Sequence, residues 1–238
     1  MENKNKIGII GGGNLYHLGF LDKEKIKSIN TPYGEVFYFL LKNTPLILRH
    51  GLKRNIPPHK INYMANIYAF KDLGVKNIYA FNSVGSLKKR FKPGIFLIPD
   101  DYINFDVMSF CEQKCKYIVP GLSLEIRNRF ISICQNLDLK FQRKGIYFQT
   151  KGPRFETKAE INLIKNYADV VGMTMAKEAT LAKEIGLEYA TLCSLDNYAH
   201  GIIKQPLTQE MVEQNEKKIN IKVKKIVQEI IKIATPIH

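Results

Sequence analysis

Short apolar runs alternate with longer amphipathic stretches along almost the whole chain, and no other feature restricts its fold as strongly. Ile7 to Ile10, Pro45 to Leu48, Val75 to Phe81, Ile95 to Ile98, Gly145 to Gln149 and Tyr189 to Leu195 have the length and apolar character of buried strands. Between them, His59 to Leu73 carries Ile61, Met64, Ala65 and Tyr68 at helical spacing ahead of Gly74, and Ala176 to Ile185 reads as a further helix. Thr208 to Ala234 is the clearest helix, with Ile219, Val223, Ile226, Val227 and Ile230 in one apolar stripe and Thr208 placed to cap its start. Strands interleaved with helices predict an α/β fold with a central, mostly mixed sheet flanked by helices. No linker or internal repeat interrupts the 238 residues, and 45% hydrophobic residues supply one core, so residues 1–238 read as a single domain. Asp106 to Gly121 mixes Phe, Cys and Lys without a period and receives no assignment.

Composition narrows the function classes. No run reaches the roughly 18 uninterrupted apolar residues of a membrane span, and Met1 to Lys6 is polar with no apolar signal segment behind it, so a soluble, cytoplasmic protein without a membrane partner is expected. Cys111, Cys115, Cys134 and Cys193 are sparse, and Cys111 and Cys115 lack a second pair at zinc-ligand spacing, so reduced thiols and no metal are expected. The charge of +14, from 36 Lys+Arg against 22 Asp+Glu, would attract phosphates. The lysines are spread out, however. Clusters such as Lys88, Lys89, Arg90 and Lys217, Lys218 read as solvated helix faces without an RNA-binding aromatic motif, so no nucleic-acid partner is expected.

Ligands of open α/β sheets bind beyond the carboxyl ends of strands, which directs attention to the turns there. Gly11, Gly12 and Gly13 follow the first strand and either form a plain tight turn or let backbone amides approach a phosphate. They do not make a dinucleotide fingerprint, because Tyr16 stands where its third glycine would be. Arg49 and His50 are either a surface pair or a guanidinium fork with a second, imidazole donor for phosphate oxygens. Asn82 and Ser83 lie in a glycine-containing turn after Val75 to Phe81, and the Thr174 hydroxyl either caps a helix or binds an anion.

Together these stretches resemble the methylthioadenosine phosphorylase and purine nucleoside phosphorylase family over nearly the whole chain. The matching residues are Ile7 to Gly12, Thr31 to Gly34 (TPYG), Arg49 to Gly51, Asn62 to Asn66 (NYxAN), Val84 to Leu87, Gly152 to Thr157 (GPRFET), Ala159 to Ile161 and Val171 to Thr174 (VGMT). The resemblance implies a phosphate site at Gly13, Arg49, His50, Asn82, Ser83 and Thr174, although Gly13 and Asn82 each replace a threonine of the methylthioadenosine branch. It implies that Phe155 stacks on a purine, that Met173 lies beneath the sugar, and that Asp196, Tyr198 and Ala199 surround the nucleoside. Glu156, Gln209 and Val212 are candidates for specificity, the last two near a 5′ substituent. At Asn197 and Ala199 the 6-aminopurine enzymes carry aspartates. Asn197, which can donate as well as accept, instead resembles the methylthioinosine phosphorylase branch and would stabilise a departing 6-oxopurine. A one-residue slip would put Asp196 there instead. The implied activity is phosphorolysis of purine nucleosides or 5′-methylthionucleosides in purine salvage by a homotrimer, with inorganic phosphate as co-substrate and no cofactor. The alternatives are a 6-aminopurine-specific methylthioadenosine phosphorylase, a nucleoside hydrolase and a noncatalytic RNA-binding protein.

Overall fold

Two long neighbouring strands, β5 (Asn77–Ser86) and β11 (Glu188–Tyr198), form the spine of the protein, pairing in parallel from Glu188↔Asn77 to Tyr198↔Ser86. The computed structural model describes residues 6–21, 24–111 and 117–234. Among them eleven strands join into one mixed sheet, in the order β2-β3-β4-β1-β5-β10-β9-β7, with β11 on the other edge of β5 and β6 and β8 beyond β11. β1 (Ile7–Gly11), β4 (Thr44–Leu48) and β5 run in parallel, whereas β10 (Val170–Gly172) is antiparallel to β5. The hairpin of β2 (Ile26–Thr31) and β3 (Gly34–Leu41) turns on the TPYG stretch, where the Tyr33 amide donates to the Thr31 hydroxyl and Gly34 takes a φ of 131°, which favours glycine. The short strands are β6 (Phe96–Leu97), β7 (Asp101–Ile103), β8 (Phe141–Gln142) and β9 (Ile146–Gln149).

Helices cover both faces. α1 (Tyr63–Asp72) and α4 (Met175–Glu184) bury Ile67, Phe70, Met175 and Ala179 in one core. On the opposite face, α2 (Leu124–Asn136) sets Phe130 edge-on against Tyr79 and Phe81 of β5, with ring centroids 5.2 and 5.8 Å apart. α5 (Gln209–Ala234) lays its stripe of Ile219, Val223, Ile226, Val227 and Ile230 on that face, all five buried, and the Met211 amide donates to the Thr208 hydroxyl as a cap. Each such side chain contributes about 1.5–3 kcal/mol of hydrophobic stabilisation. α3 (Lys158–Ile164) starts in a capping box between Thr157 and Glu160.

The α/β expectation holds, with local corrections. The helix expected over His59 to Leu73 is a 3-10 turn at Pro58–Lys60 followed by α1, because Asn62 caps the Ala65 amide and restarts the chain as a helix. Asn82 to Ser86 is not a turn: these turn-forming residues continue β5 because β11 supplies a full ladder beside them. Asp196 to Tyr198 likewise belong to β11. In the unassigned stretch, the Asp106 carboxylate pairs with the Lys177 amine at 2.6 Å and Phe110 packs on Tyr33 and Tyr68, while residues 112–116, and Cys115 with them, lie outside the described residues. Cys111, Cys134 and Cys193 are free thiols. No described helix is long and apolar enough to cross a membrane.

Candidate active site

Strand ends converge at a gap along β5. β1 reaches Phe81 with Gly11, and β10 arrives on the same edge from the opposite direction, pairing Val171 with Gly85. Between them the edge of β5 is open, and a cavity of about 550 Å³ lies there. Its walls are Gly12 and Gly13 after β1, Arg49 and His50 after β4, Ser83 to Gly85 of β5, Met173 and Thr174 after β10, and Asn197 and Ala199 at the end of β11. Residues 54–58, Phe155, Glu156, Val171, Gly172, Leu207 and Val212 complete it.

The polar end is tightly braced. Arg49, 2% exposed, donates from Nε and Nη2 to the two carboxylate oxygens of Glu178 at 2.7 and 2.8 Å, and from Nη1 to the Phe81 carbonyl at 2.6 Å. The Tyr189 hydroxyl, also buried, donates to the same carboxylate at 2.8 Å. Burial alone would lower the pKa of Arg49, but the Glu178 charge and hydrogen bonds outweigh it and keep the guanidinium ionised. Three of its five N–H groups are thus engaged, leaving two to offer a ligand. His50 is anchored through Nδ1, 2.8 Å from the Ile56 carbonyl. Burial, reinforced by Arg49, lowers its pKa to about 4, so the ring is neutral near pH 7.

Thr174 stands at the start of α4 without capping it. The amides of Thr174 and Met175 donate to the Tyr147 hydroxyl, and those of Ala176 and Lys177 to Oε1 of Gln149, so the first turn of the helix is satisfied from behind. The Thr174 hydroxyl instead accepts from Nδ2 of Asn82 at 2.7 Å, and the Asn82 amide is oriented by the Thr191 hydroxyl donating to Oδ1 at 2.6 Å. With its oxygen occupied from below, Thr174 has its hydrogen to donate into the cavity.

At the other end a β-bulge in β11 decides which residue faces inward. Leu195 pairs with Val84 and Asn197 with Gly85, so Asp196 is the extra residue. Asp196 is fully buried beneath Ser83, whose hydroxyl donates to its carboxylate, while Asn197 lines the cavity. Asn197 donates from Nδ2 to the Tyr198 carbonyl at 2.9 Å, which leaves one N–H and Oδ1 for a ligand. Glu156, 6% exposed, also lines the cavity and accepts from the Thr150 hydroxyl on one oxygen at 2.6 Å. Arg154 forks onto Glu160 at 2.8 Å on both oxygens, steadying the loop that carries Phe155 and Glu156 into α3.

Of the residues singled out from sequence, Gly13, Arg49, His50, Ser83, Thr174, Phe155, Met173, Asn197, Ala199, Glu156 and Val212 line this one cavity. Asn82, Asp196, Tyr198 and Gln209 do not: the first two brace lining residues from behind, the Tyr198 hydroxyl donates to the Lys89 carbonyl, and Gln209 donates to Glu213 along α5. Sequence reasoning missed Glu178, Tyr189, Arg54 and Leu207. Glu178 left a trace, as a carboxylate among Met175, Ala179 and Ala182 on the buried side of α4, where an unpaired charge would be costly.

Comparison with known proteins agrees with this architecture. The sequence profile of the Phosphorylase superfamily matches residues 6–232. A probable S-methyl-5′-thioinosine phosphorylase of Methanocaldococcus jannaschii is 45% identical over 233 residues, covering 94% of this chain and 91% of that protein. A probable 6-oxopurine nucleoside phosphorylase of Archaeoglobus fulgidus is 39% identical over 232 residues, covering 95% and 96%. The structure of methylthioadenosine phosphorylase from Schistosoma mansoni in complex with adenine superimposes with a TM-score of 0.81 at 24% identity, over 96% of this chain and 91% of that one, and shares its fold. The chain is a member of the phosphorylase superfamily, and its cavity is built where that fold brings its strand ends together.

Proposed function

We propose that the protein catalyses phosphorolysis of 6-oxopurine nucleosides or their 5′-methylthio analogues, releasing free purine and a sugar 1-phosphate. The observation that carries this reading is the presence of a buried amide, Asn197, and a buried carboxylate, Glu156, in one cavity with Phe155. A 6-oxopurine offers an acceptor at its 6-oxygen and a donor at N1, which an amide and a carboxylate complement; a 6-aminopurine offers the reverse at both positions. Phosphate is held between the Gly12 and Gly13 backbone, Arg49, His50, Ser83 and Thr174, and is positioned against the anomeric carbon over Met173. As the glycosidic bond lengthens, Asn197 strengthens its hold on the purine as negative charge gathers there. Leu207 and Val212 give the 5′ end an apolar wall suited to a methylthio group. The two relatives named for 6-oxopurine and methylthioinosine substrates support this preference.

The reaction draws on no metal or organic cofactor, and the protein acts in purine salvage on free nucleosides in the cytoplasm, with neither nucleic acid nor membrane as a partner. A homotrimer fits the exposure of Phe105, Val107, Tyr117 and Val119, large apolar side chains around the 106–121 segment. Base release from inosine, guanosine, adenosine and their 5′-methylthio counterparts, with and without phosphate, tests the reading. Cleavage that proceeds equally without phosphate identifies a hydrolase, and preference for the adenine substrates overturns the 6-oxopurine assignment.

A further inference from the structure

His50 turns a lone pair, not a proton, toward the polar end of the cavity. Its Nδ1 lies 2.8 Å from the Ile56 carbonyl oxygen, an atom that only accepts, so Nδ1 carries the hydrogen and Nε2 of the neutral ring is bare. Nε2 and Cδ2 face Gly12, each 3.2 Å from where a Cβ on that residue would stand. Arg49 lies beside the ring, Arg54 approaches from the 51–56 loop, and Tyr16, on the chain after β1, donates its hydroxyl to the Gly51 carbonyl. Glu178, on α4 behind Arg49, spends both oxygens on the guanidinium. Arg49 and Glu178 cancel, and burial with the two arginines keeps His50 uncharged. An incoming anion therefore meets, beside the arginines, an acceptor where one of its oxygens must sit.

We propose that His50 is a catalytic proton acceptor through which the site selects hydrogen phosphate over anions that carry no proton. The inference rests on the phosphorolysis reading above. Hydrogen phosphate donates its O–H to Nε2 on binding. As a phosphate oxygen bonds to the anomeric carbon, the glycosidic C–N bond breaks and its electron pair goes to the purine. The proton passes from phosphate to Nε2, leaving the sugar 1-phosphate dianion, and the imidazolium returns it through solvent to the purine anion. Sulfate near neutral pH has no proton to offer, so its oxygen and Nε2 oppose lone pair to lone pair unless the ring first takes a proton from solvent.

The test is sulfate binding to the intact protein by calorimetry, with displacement by inorganic phosphate marking the site, in buffers of different ionisation enthalpy. Sulfate is expected to take up about one proton and to weaken about tenfold for each unit of rising pH between about pH 6 and pH 8. His50→Gln, which offers an amide N–H at every pH, should bind sulfate with no such slope. A sulfate affinity flat with pH in the unmodified protein, or binding without proton uptake, overturns the assignment, and this holds even if the variant does not fold. The nucleoside panel is read separately. Phosphate-dependent base release together with a flat sulfate profile removes only the role of His50, whereas absence of phosphate-dependent release removes the phosphorolysis reading itself.

Discussion

At the polar end of the cavity Arg49, His50 and Thr174 are each held by a second group behind them, whereas at the opposite end Phe155 stands 41% exposed, Leu207 comes from the chain leading into α5 and Val212 from the first turn of that helix. The braced end is where the proposed phosphate sits, and that co-substrate never changes. The less enclosed end is where the proposed nucleoside sits, the part by which the relatives' names differ. Investment in buried networks thus follows how invariant the ligand is, and substitutions at the two ends should fail in different ways.

The largest effect is expected from Arg49→Ala. It strands the Glu178 carboxylate in the core, so unfolding in urea should show a loss of about 3–5 kcal/mol, and the Michaelis constant for phosphate should rise far more than that for nucleoside. A loss typical of an exposed ion pair would show that this end is not braced as described. Next, Thr174→Val removes one donor and leaves Asn82 without its acceptor. A cost of about 1–3 kcal/mol, about tenfold to hundredfold in the constant for phosphate, is expected with little change for nucleoside. At the other end, Asn197→Asp should move preference from 6-oxo toward 6-amino purines by about tenfold to hundredfold, with a loss of stability of about 1–3 kcal/mol because the Tyr198 carbonyl loses its donor. Asp196→Asn, beneath Ser83, should affect both classes of base alike; a base-selective effect there would show that Asp196 reads the purine. The smallest effect concerns pH. His50 is held near about 4 when folded, below the ordinary 6.5, so between those values the unfolded chain binds the extra proton. Stability is therefore lost as pH falls through that window, and the slope of melting temperature against pH should be shallower in His50→Gln.

Part of the site was legible because it sits at strand ends, where short apolar runs stop at Gly11 and Leu48, whereas β10, which ends at Gly172, is not among the strands the sequence predicts. What could not be read depends on pairing across the sheet. Asn82, Ser83 and Gly85 have the chemistry of a turn, and only the ladder with β11 makes them strand. The choice between Asp196 and Asn197 rests on a bulge, which leaves no periodicity in a fully buried strand. Gln209 lies on the predicted helix but faces along it, and one residue of phase on a helix decides whether Val212 or its neighbour reaches the cavity. The partnership of Arg49 with Glu178 spans 129 positions and is invisible to any local pattern.

The parallel pairing of β5 and β11 makes the site a calibrated ruler. Ser83 to Gly85 line the cavity from one strand, and Asn197 lines it from the next. The separation between them is therefore set by one inter-strand spacing of about 4.8 Å rather than by a loop length. On the proposed function, a change of purine preference would be written into one side chain beside the bulge without altering the spacing between the two strands that carry the site.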